Sequence, residues 1–163
     1  METIISSLRK LYIYMTIAIL AAVLFISTAL SASAQTVTVS IPPQKYIVEK
    51  IAADTVKVNV MVPKGSDPHT FSPKSTQIKD LSDSALFLGI GFPFEESTVP
   101  QITSSIKAIK IVYTQEGIAQ IHEAHGDHEH LDPHVWTSPK SMLLVAKNTY
   151  DALVSAFPEH KGS

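Results

Sequence analysis

The chain has 163 residues, 45% of them hydrophobic, and a formal net charge of −2. This length and composition predict one ordinary domain with a hydrophobic core, and the lack of a basic run excludes the charged surface typical of nucleic-acid-binding proteins. The sequence contains no cysteine, which excludes disulfides, thiolate metal sites and cysteine nucleophiles. Any metal site must therefore use His, Asp and Glu side chains.

An apolar run at residues 11–30 follows two basic residues and precedes a small-x-small motif that ends at Ala34. This pattern is typical of a secretory signal peptide that is cleaved after Ala34. A run of this length can also cross a membrane core of about 30 Å, so an uncleaved anchor is the alternative. In both cases residues 1–34 form a targeting segment, and residues 35–163 are expected in the periplasm or on the outer face of the cytoplasmic membrane.

Predicted strands and helices alternate along the remaining sequence. β-Branched and apolar runs predict strands at residues 37–41, 55–62, 85–91 and 108–114. Helices are predicted at residues 44–52, 75–84, 97–107 and 139–157, the last with Ser138 as its N-cap and Pro139 in its first turn. The alternation predicts βαβ units, and hence an α/β fold with a four-stranded parallel sheet flanked by helices.

The tripeptide Asp-Pro-His occurs twice, ending at His69 and at His134, and an aromatic residue and Ser-Pro soon follow each copy. In a parallel α/β sheet, loops that leave the carboxyl ends of strands meet at one edge, so these two loops can bring both imidazoles together. The proline restrains the backbone before each histidine and lowers the entropic cost of fixing a ligand. Asp-Pro-His also suits an ordinary turn, but the repeat with similar flanks favours metal ligation.

Three residues near these motifs are candidates to support such a site. Asp67 opens the first tripeptide and can help to complete a metal shell. Trp136 follows His134 by two residues and is expected to pack beside the site and shield it. Glu95 follows the third predicted strand, where it can orient a histidine or simply face water.

A histidine-rich segment at residues 122–130 contains His122, His125, His128 and His130. No apolar period fixes its backbone, so the sequence predicts a mobile, solvated loop. Imidazoles at this spacing can share a zinc ion, but ordering the loop costs roughly 1–2 kcal/mol per residue. We therefore expect weak and multiple metal binding, and the alternative is a charged surface loop that binds nothing.

A hydrolytic site is the alternative function for the same region. Residues 128–134, HEHLDPH, approach the His-x-His-x-Asp-His motif of zinc hydrolases of the metallo-β-lactamase type. The match has one residue too many, and this insertion would rotate the ligands out of place. The motif also follows a buried strand in those enzymes, whereas a polar, histidine-rich segment precedes it here. Metal binding without catalysis is therefore favoured.

The loop GSDPHTFSP, the histidine-rich segment and LDPHVW, in this order after an export signal, resemble the zinc- and manganese-specific solute-binding proteins of ABC importers. The resemblance covers residues 36–160. It implies that His69 and His134 are metal ligands, that the histidine-rich segment recruits or senses zinc, and that the protein passes its metal to a membrane permease. The histidine-rich segment ranks zinc before manganese, because manganese prefers more oxygen ligands.

The same resemblance implies that part of the binding protein is missing. Family members have two lobes joined by a long helix, and the second lobe supplies a histidine and an acidic ligand. This chain ends about where that helix would begin. Residues 35–163 are thus expected to form the N-terminal lobe alone, as a natural half, a split gene or a fragment, with a separate chain carrying the C-terminal lobe as a candidate partner.

Overall fold

The structure, a computed structural model, describes residues 9, 12–17, 35–104, 109–119, 122–125 and 128–161, with only the backbone described for 122–125 and 128–131. The chain divides into two compact units, residues 1–33 and 34–163. In the first unit residues 12–17 are helical, and the rest of the predicted apolar run lies outside the described residues. Within the described ranges, no helix is long and apolar enough to cross a membrane.

The second unit is built around a parallel sheet. Its strands are β1 (Gln35–Val39), β2 (Val56–Val60), β3 (Leu86–Gly89) and β4 (Lys110–Tyr113). The strand order is β2-β1-β3-β4, and every neighbouring pair is parallel. The helices are α1 (Pro42–Ala52), α2 (Ser75–Ser82), α3 (Pro93–Ser97), α4 (Val99–Thr103) and α5 (Pro139–Ala156), and 3-10 turns span Val135–Thr137 and Pro158–His160. The predicted α/β fold with a four-stranded parallel sheet is confirmed.

Burial on both faces of the sheet explains why the central strand β3 has no polar side chain. All four residues of β3 are buried, and its three large side chains alternate between two core clusters. Phe87 packs on one face with Leu81 of α2, whereas Leu86 and Leu88 pack on the other face with Leu153 of α5. The sheet thus holds the chain segments that follow each strand in fixed positions at its carboxyl edge.

The prediction of a helix at residues 97–107 was wrong in the extent of that helix. Two helices of five residues, α3 and α4, occupy this region, and residues 105–108 lie outside the described part of the chain. Proline stands at the first or second position of each helix. Because proline lacks an amide hydrogen and clashes with the preceding turn, Pro100 can begin α4 but cannot continue α3.

The histidine-rich segment contains two strands, β5 (His122–His125) and β6 (His128–Leu131), which pair antiparallel. The prediction of a segment without regular structure was therefore wrong for the backbone, and its mobility stays a prediction. A hairpin with a two-residue link can satisfy its main-chain hydrogen bonds without an apolar face. Hydrophobic periodicity, on which the prediction relied, could not detect it.

Candidate metal centre

The structure brings the two Asp-Pro-His histidines together. His69 lies in the loop that leaves the carboxyl end of β2, and His134 lies in the segment between β6 and α5. Their Nε2 atoms are 3.5 Å apart, and the centroids of their rings are 5.2 Å apart. The two nitrogen lone pairs can therefore face the same point in space.

Each Asp-Pro-His motif folds into the same local turn. Asp67 Oδ1 accepts a hydrogen bond from the His69 amide at 2.9 Å, and Asp132 Oδ1 accepts one from the His134 amide at 2.8 Å. These amides are the main reason why the pKa of each carboxyl lies below its ordinary value. The turn fixes the backbone of each histidine, so turn formation and ligation are compatible roles for the motif.

Asp132 also contacts the imidazole of His134, and the sequence analysis did not single it out. Its Oδ1 lies 2.6 Å from His134 Nδ1. When Nδ1 carries the proton and donates it to the carboxylate, the lone pair of Nε2 is left to face His69. Asp67, by contrast, accepts a second hydrogen bond from the Thr70 hydroxyl at 3.1 Å. The repeat itself was the signal for Asp132, because it is the counterpart of Asp67.

Aromatic rings form a floor beneath the two imidazoles. Phe92, in the turn between β3 and α3, is completely buried and meets the His69 ring edge-on, with centroids 5.3 Å apart and an interplanar angle of 90°. It lies 5.7 Å from Trp136, whose ring is 5.0 Å from that of His134. The sequence analysis placed Trp136 beside the site but missed Phe92. An aromatic residue directly after a buried strand was the available signal.

Among the described contacts, Glu95 neither orients a histidine nor faces water. It is completely buried in α3, and its Oε2 accepts hydrogen bonds from the amides of Ile90 and Gly91, both at 2.8 Å. Burial raises the pKa of Glu95 above its ordinary value, although the Ser40 hydroxyl and these amides oppose the shift. The described hydrogen bonds of Glu95 therefore fix the backbone between β3 and α3, and they do not orient a histidine ring.

The pair of imidazoles fits one zinc ion. Two nitrogens that bind zinc at about 2.0–2.1 Å with a tetrahedral angle lie about 3.3–3.4 Å apart. The observed separation of 3.5 Å is close to this value. His69 is exposed and the His134 side chain retains 41% of its accessible surface, so an ion can reach both from solvent.

A complete metal shell needs further ligands. No group of three or more His, Cys, Asp or Glu side chains suited to a metal ion occurs among the residues that the structure describes. The side chains of His122, His125, His128 and His130, the predicted accessory ligands, lie outside that description. The described donors thus supply two of the four ligands that a structural zinc ion takes.

Known proteins are similar to this chain in sequence and in fold. A family model described as zinc-uptake complex component A, periplasmic, matches residues 37–163. The zinc-binding lipoprotein AdcA of Streptococcus pneumoniae is 25% identical over 132 residues, which cover 73% of this chain and 26% of AdcA. The zinc binding stated in the name of AdcA is consistent with the donor set described above.

Two solved structures are similar over about half of their length. The crystal structure of ZnuA has a TM-score of 0.71 and 33% sequence identity, covering 79% of this chain and 49% of that chain. The manganese-bound periplasmic metal binding protein of Candidatus Liberibacter asiaticus has a TM-score of 0.68 and 28% identity, covering 77% and 47%. These relatives are metal-binding proteins and not enzymes, so the hydrolase alternative at residues 128–134 gains no support.

Proposed function

Because the chain belongs to the zinc-uptake complex component A family, we propose that it captures a divalent transition metal for an ABC importer, zinc first and manganese second. The observation that carries this proposal is the approach of His69 Nε2 and His134 Nε2 to 3.5 Å. The names of the zinc- and manganese-binding relatives support both metals. The same family membership supports delivery to a membrane permease and a location outside the cytoplasm as parts of this proposal.

The donor chemistry of the described site supports the preference for zinc. His69 and His134 offer imidazole nitrogen, whereas Asp67 and Asp132 already accept hydrogen bonds within their own turns. Imidazole suits zinc, and manganese prefers a shell richer in oxygen. The remaining positions are filled, in this proposal, by water, by the histidine-rich segment or by a C-terminal lobe on another chain. Residues 35–163 then act as an N-terminal lobe, and residues 1–34 direct export.

The histidine-rich segment is proposed as a set of weak accessory zinc sites. In the register of β5 and β6, His125 stands opposite His128, and Glu123 stands opposite His130. Residues directly opposite each other in an antiparallel pair have Cβ atoms about 4.5–5.5 Å apart. Such a pair can share an ion without first ordering a long loop, and this supports a collecting role for the segment.

Calorimetric zinc titration of the chain tests these roles. His69→Ala and His134→Ala should each remove the tightest binding event, because a single imidazole cannot hold zinc tightly in open solvent. Deleting residues 122–130 should remove only weak events. His160→Ala, in the 3-10 turn after α5, is the control and should bind zinc like the wild-type chain. Loss of the tight event on deletion, with both point variants unaffected, would reverse the assignment.

A further inference from the structure

We propose that Glu95 is a positioning residue of the metal centre, because its carboxylate fixes the turn that carries Phe92 and thereby sets the geometry of His69 and His134. The inference rests on the proposed metal function. It differs from a direct role in orienting a histidine, since Glu95 acts here through the backbone and an aromatic ring.

The first step is the pair of hydrogen bonds by which the Glu95 carboxylate fixes the turn. β3 ends at Gly89, and the next two amides, those of Ile90 and Gly91, both donate to Glu95 Oε2 at 2.8 Å. Gly91 has φ +101°, a conformation that residues with side chains rarely adopt, so the chain bends sharply here. One oxygen thus holds the bend immediately before Phe92.

The second step is the tight packing around that oxygen. A Cβ atom built on Gly89 would lie 2.5 Å from Glu95 Oε2 and 2.6 Å from Tyr113 Cδ1. The hydroxyl of Tyr113 donates a hydrogen bond to the backbone carbonyl oxygen of Glu95 at 3.4 Å, so this side chain also contacts the main chain of Glu95. The carboxylate therefore has little room to move between β3 and β4. Burying a carboxylate is costly unless it is well hydrogen-bonded, so the two amide bonds are needed to hold it there.

The third step leads from the turn to the histidines. Phe92 is completely buried and stands edge-on to both imidazoles, with interplanar angles of 90° to His69 and 87° to His134. Its centroid lies 5.3 Å from that of His69 and 6.4 Å from that of His134. Because the ring supports both ligands, a change in the Ile90–Phe92 backbone alters the separation of their nitrogens. Glu95 controls that backbone.

Three variants of the full chain test this inference, with zinc affinity and the visible absorption spectrum of the bound Co²⁺ ion as readouts. Glu95→Ala removes the acceptor and should weaken zinc binding about 10- to 100-fold, with a changed Co²⁺ spectrum. Glu95→Gln keeps a carbonyl oxygen for the amides and should restore binding to within a few-fold of wild type. Glu96→Ala, the exposed neighbour with the same change in charge, is the control and should match wild type.

Phe92→Leu provides a second route in case Glu95→Ala does not fold. It keeps an apolar side chain in the core but removes the aromatic edge, so it should reproduce the change in the Co²⁺ spectrum. An unchanged spectrum and affinity in Phe92→Leu, or in a folded Glu95→Ala, would overturn the inference. Loss of binding in His69→Ala and His134→Ala alone would then leave the proposed function intact. Unchanged binding in those two variants would instead contradict the proposed function itself.

Discussion

His69 and His134 differ in what holds their imidazole rings. His134 has a carboxylate oxygen 2.6 Å from Nδ1, whereas the described contacts of the His69 ring are with Phe92 and with His134 itself. A hydrogen-bonded Nδ1 selects the tautomer whose Nε2 can bind metal. The Asp132 carboxylate thus orients the His134 ring for metal binding, whereas ring packing orients His69. The two Asp-Pro-His motifs are equal in sequence but unequal in their chemistry.

Replacing the two turn aspartates should reveal this inequality. Asp132→Asn should weaken zinc binding about 10-fold or more, because the amide keeps an oxygen for the turn but removes the negative charge beside Nδ1. Asp67→Asn, the matched control, should have a clearly smaller effect, since the described hydrogen bonds of Asp67 go to the His69 amide and to Thr70. Zinc titration calorimetry measures both affinities. Equal losses would show that Asp132 acts only on the turn.

The strands and α5 were predictable because their residues show a local pattern. α5 begins at Pro139 as expected, and the Ser138 hydroxyl accepts a hydrogen bond from the Ser141 amide at 3.4 Å. Its buried residues, Val145, Thr149, Ala152 and Leu153, recur at helical spacing. The β5–β6 hairpin and the break between α3 and α4 have no such apolar period. Their positions depend on strand pairing and on proline, so the predicted pattern did not reveal them.

Gln44 shows how α1 depends on contacts that no local pattern encodes. This side chain is buried and connects the start of α1 to the carboxyl ends of three strands. Its Oε1 accepts from the amides of Ser40 and Ile41 at 3.1 and 3.2 Å, and its Nε2 donates to Leu88 O, Gly89 O and Thr114 Oγ1 at 3.1, 3.0 and 3.0 Å. The partners come from distant parts of the sequence, and only the folded sheet brings them together.

Removal of the Gln44 side chain should destabilise the fold strongly. Gln44→Ala removes five buried hydrogen bonds, at about 0.5–1.5 kcal/mol each, and leaves a cavity, so we expect a total loss of about 3 kcal/mol or more. Gln77 is the matched control, because it occupies the same position in α2 but is only half-buried and accepts from the Lys74 amide at 2.9 Å. Gln77→Ala should cost about 1 kcal/mol or less. Urea unfolding followed by Trp136 fluorescence compares the two, and similar losses would contradict the role of Gln44.

In the molecule as a whole, neither metal ligand belongs to the hydrophobic core, although Phe92 belongs to the core and also contacts both imidazoles. Both core clusters consist of apolar residues packed on the two faces of the sheet, while His69 is exposed at its carboxyl edge. The topology rule for parallel sheets was enough to predict that His69 and His134 meet there. The sequence offered a signal for the position of Phe92, but the contacts of Phe92 and Glu95 could not be predicted, because they depend on how the turn after β3 packs under loops distant in sequence. The fold should therefore persist without metal.

Thermal unfolding should show that zinc stabilises the chain without being needed for its folding. Zinc at 100 times its dissociation constant should add about 2.7 kcal/mol and raise the Tm by several degrees, and a chelator should restore the lower Tm with a cooperative transition. Measurement in the chain lacking residues 122–130 removes the accessory sites. The shift should shrink as the pH falls, because protons compete with the metal for imidazole. Unfolding by the chelator would contradict the prediction that the fold persists without metal, and a full shift in the His69→Ala/His134→Ala double variant would contradict the assignment of these two histidines as the ligands.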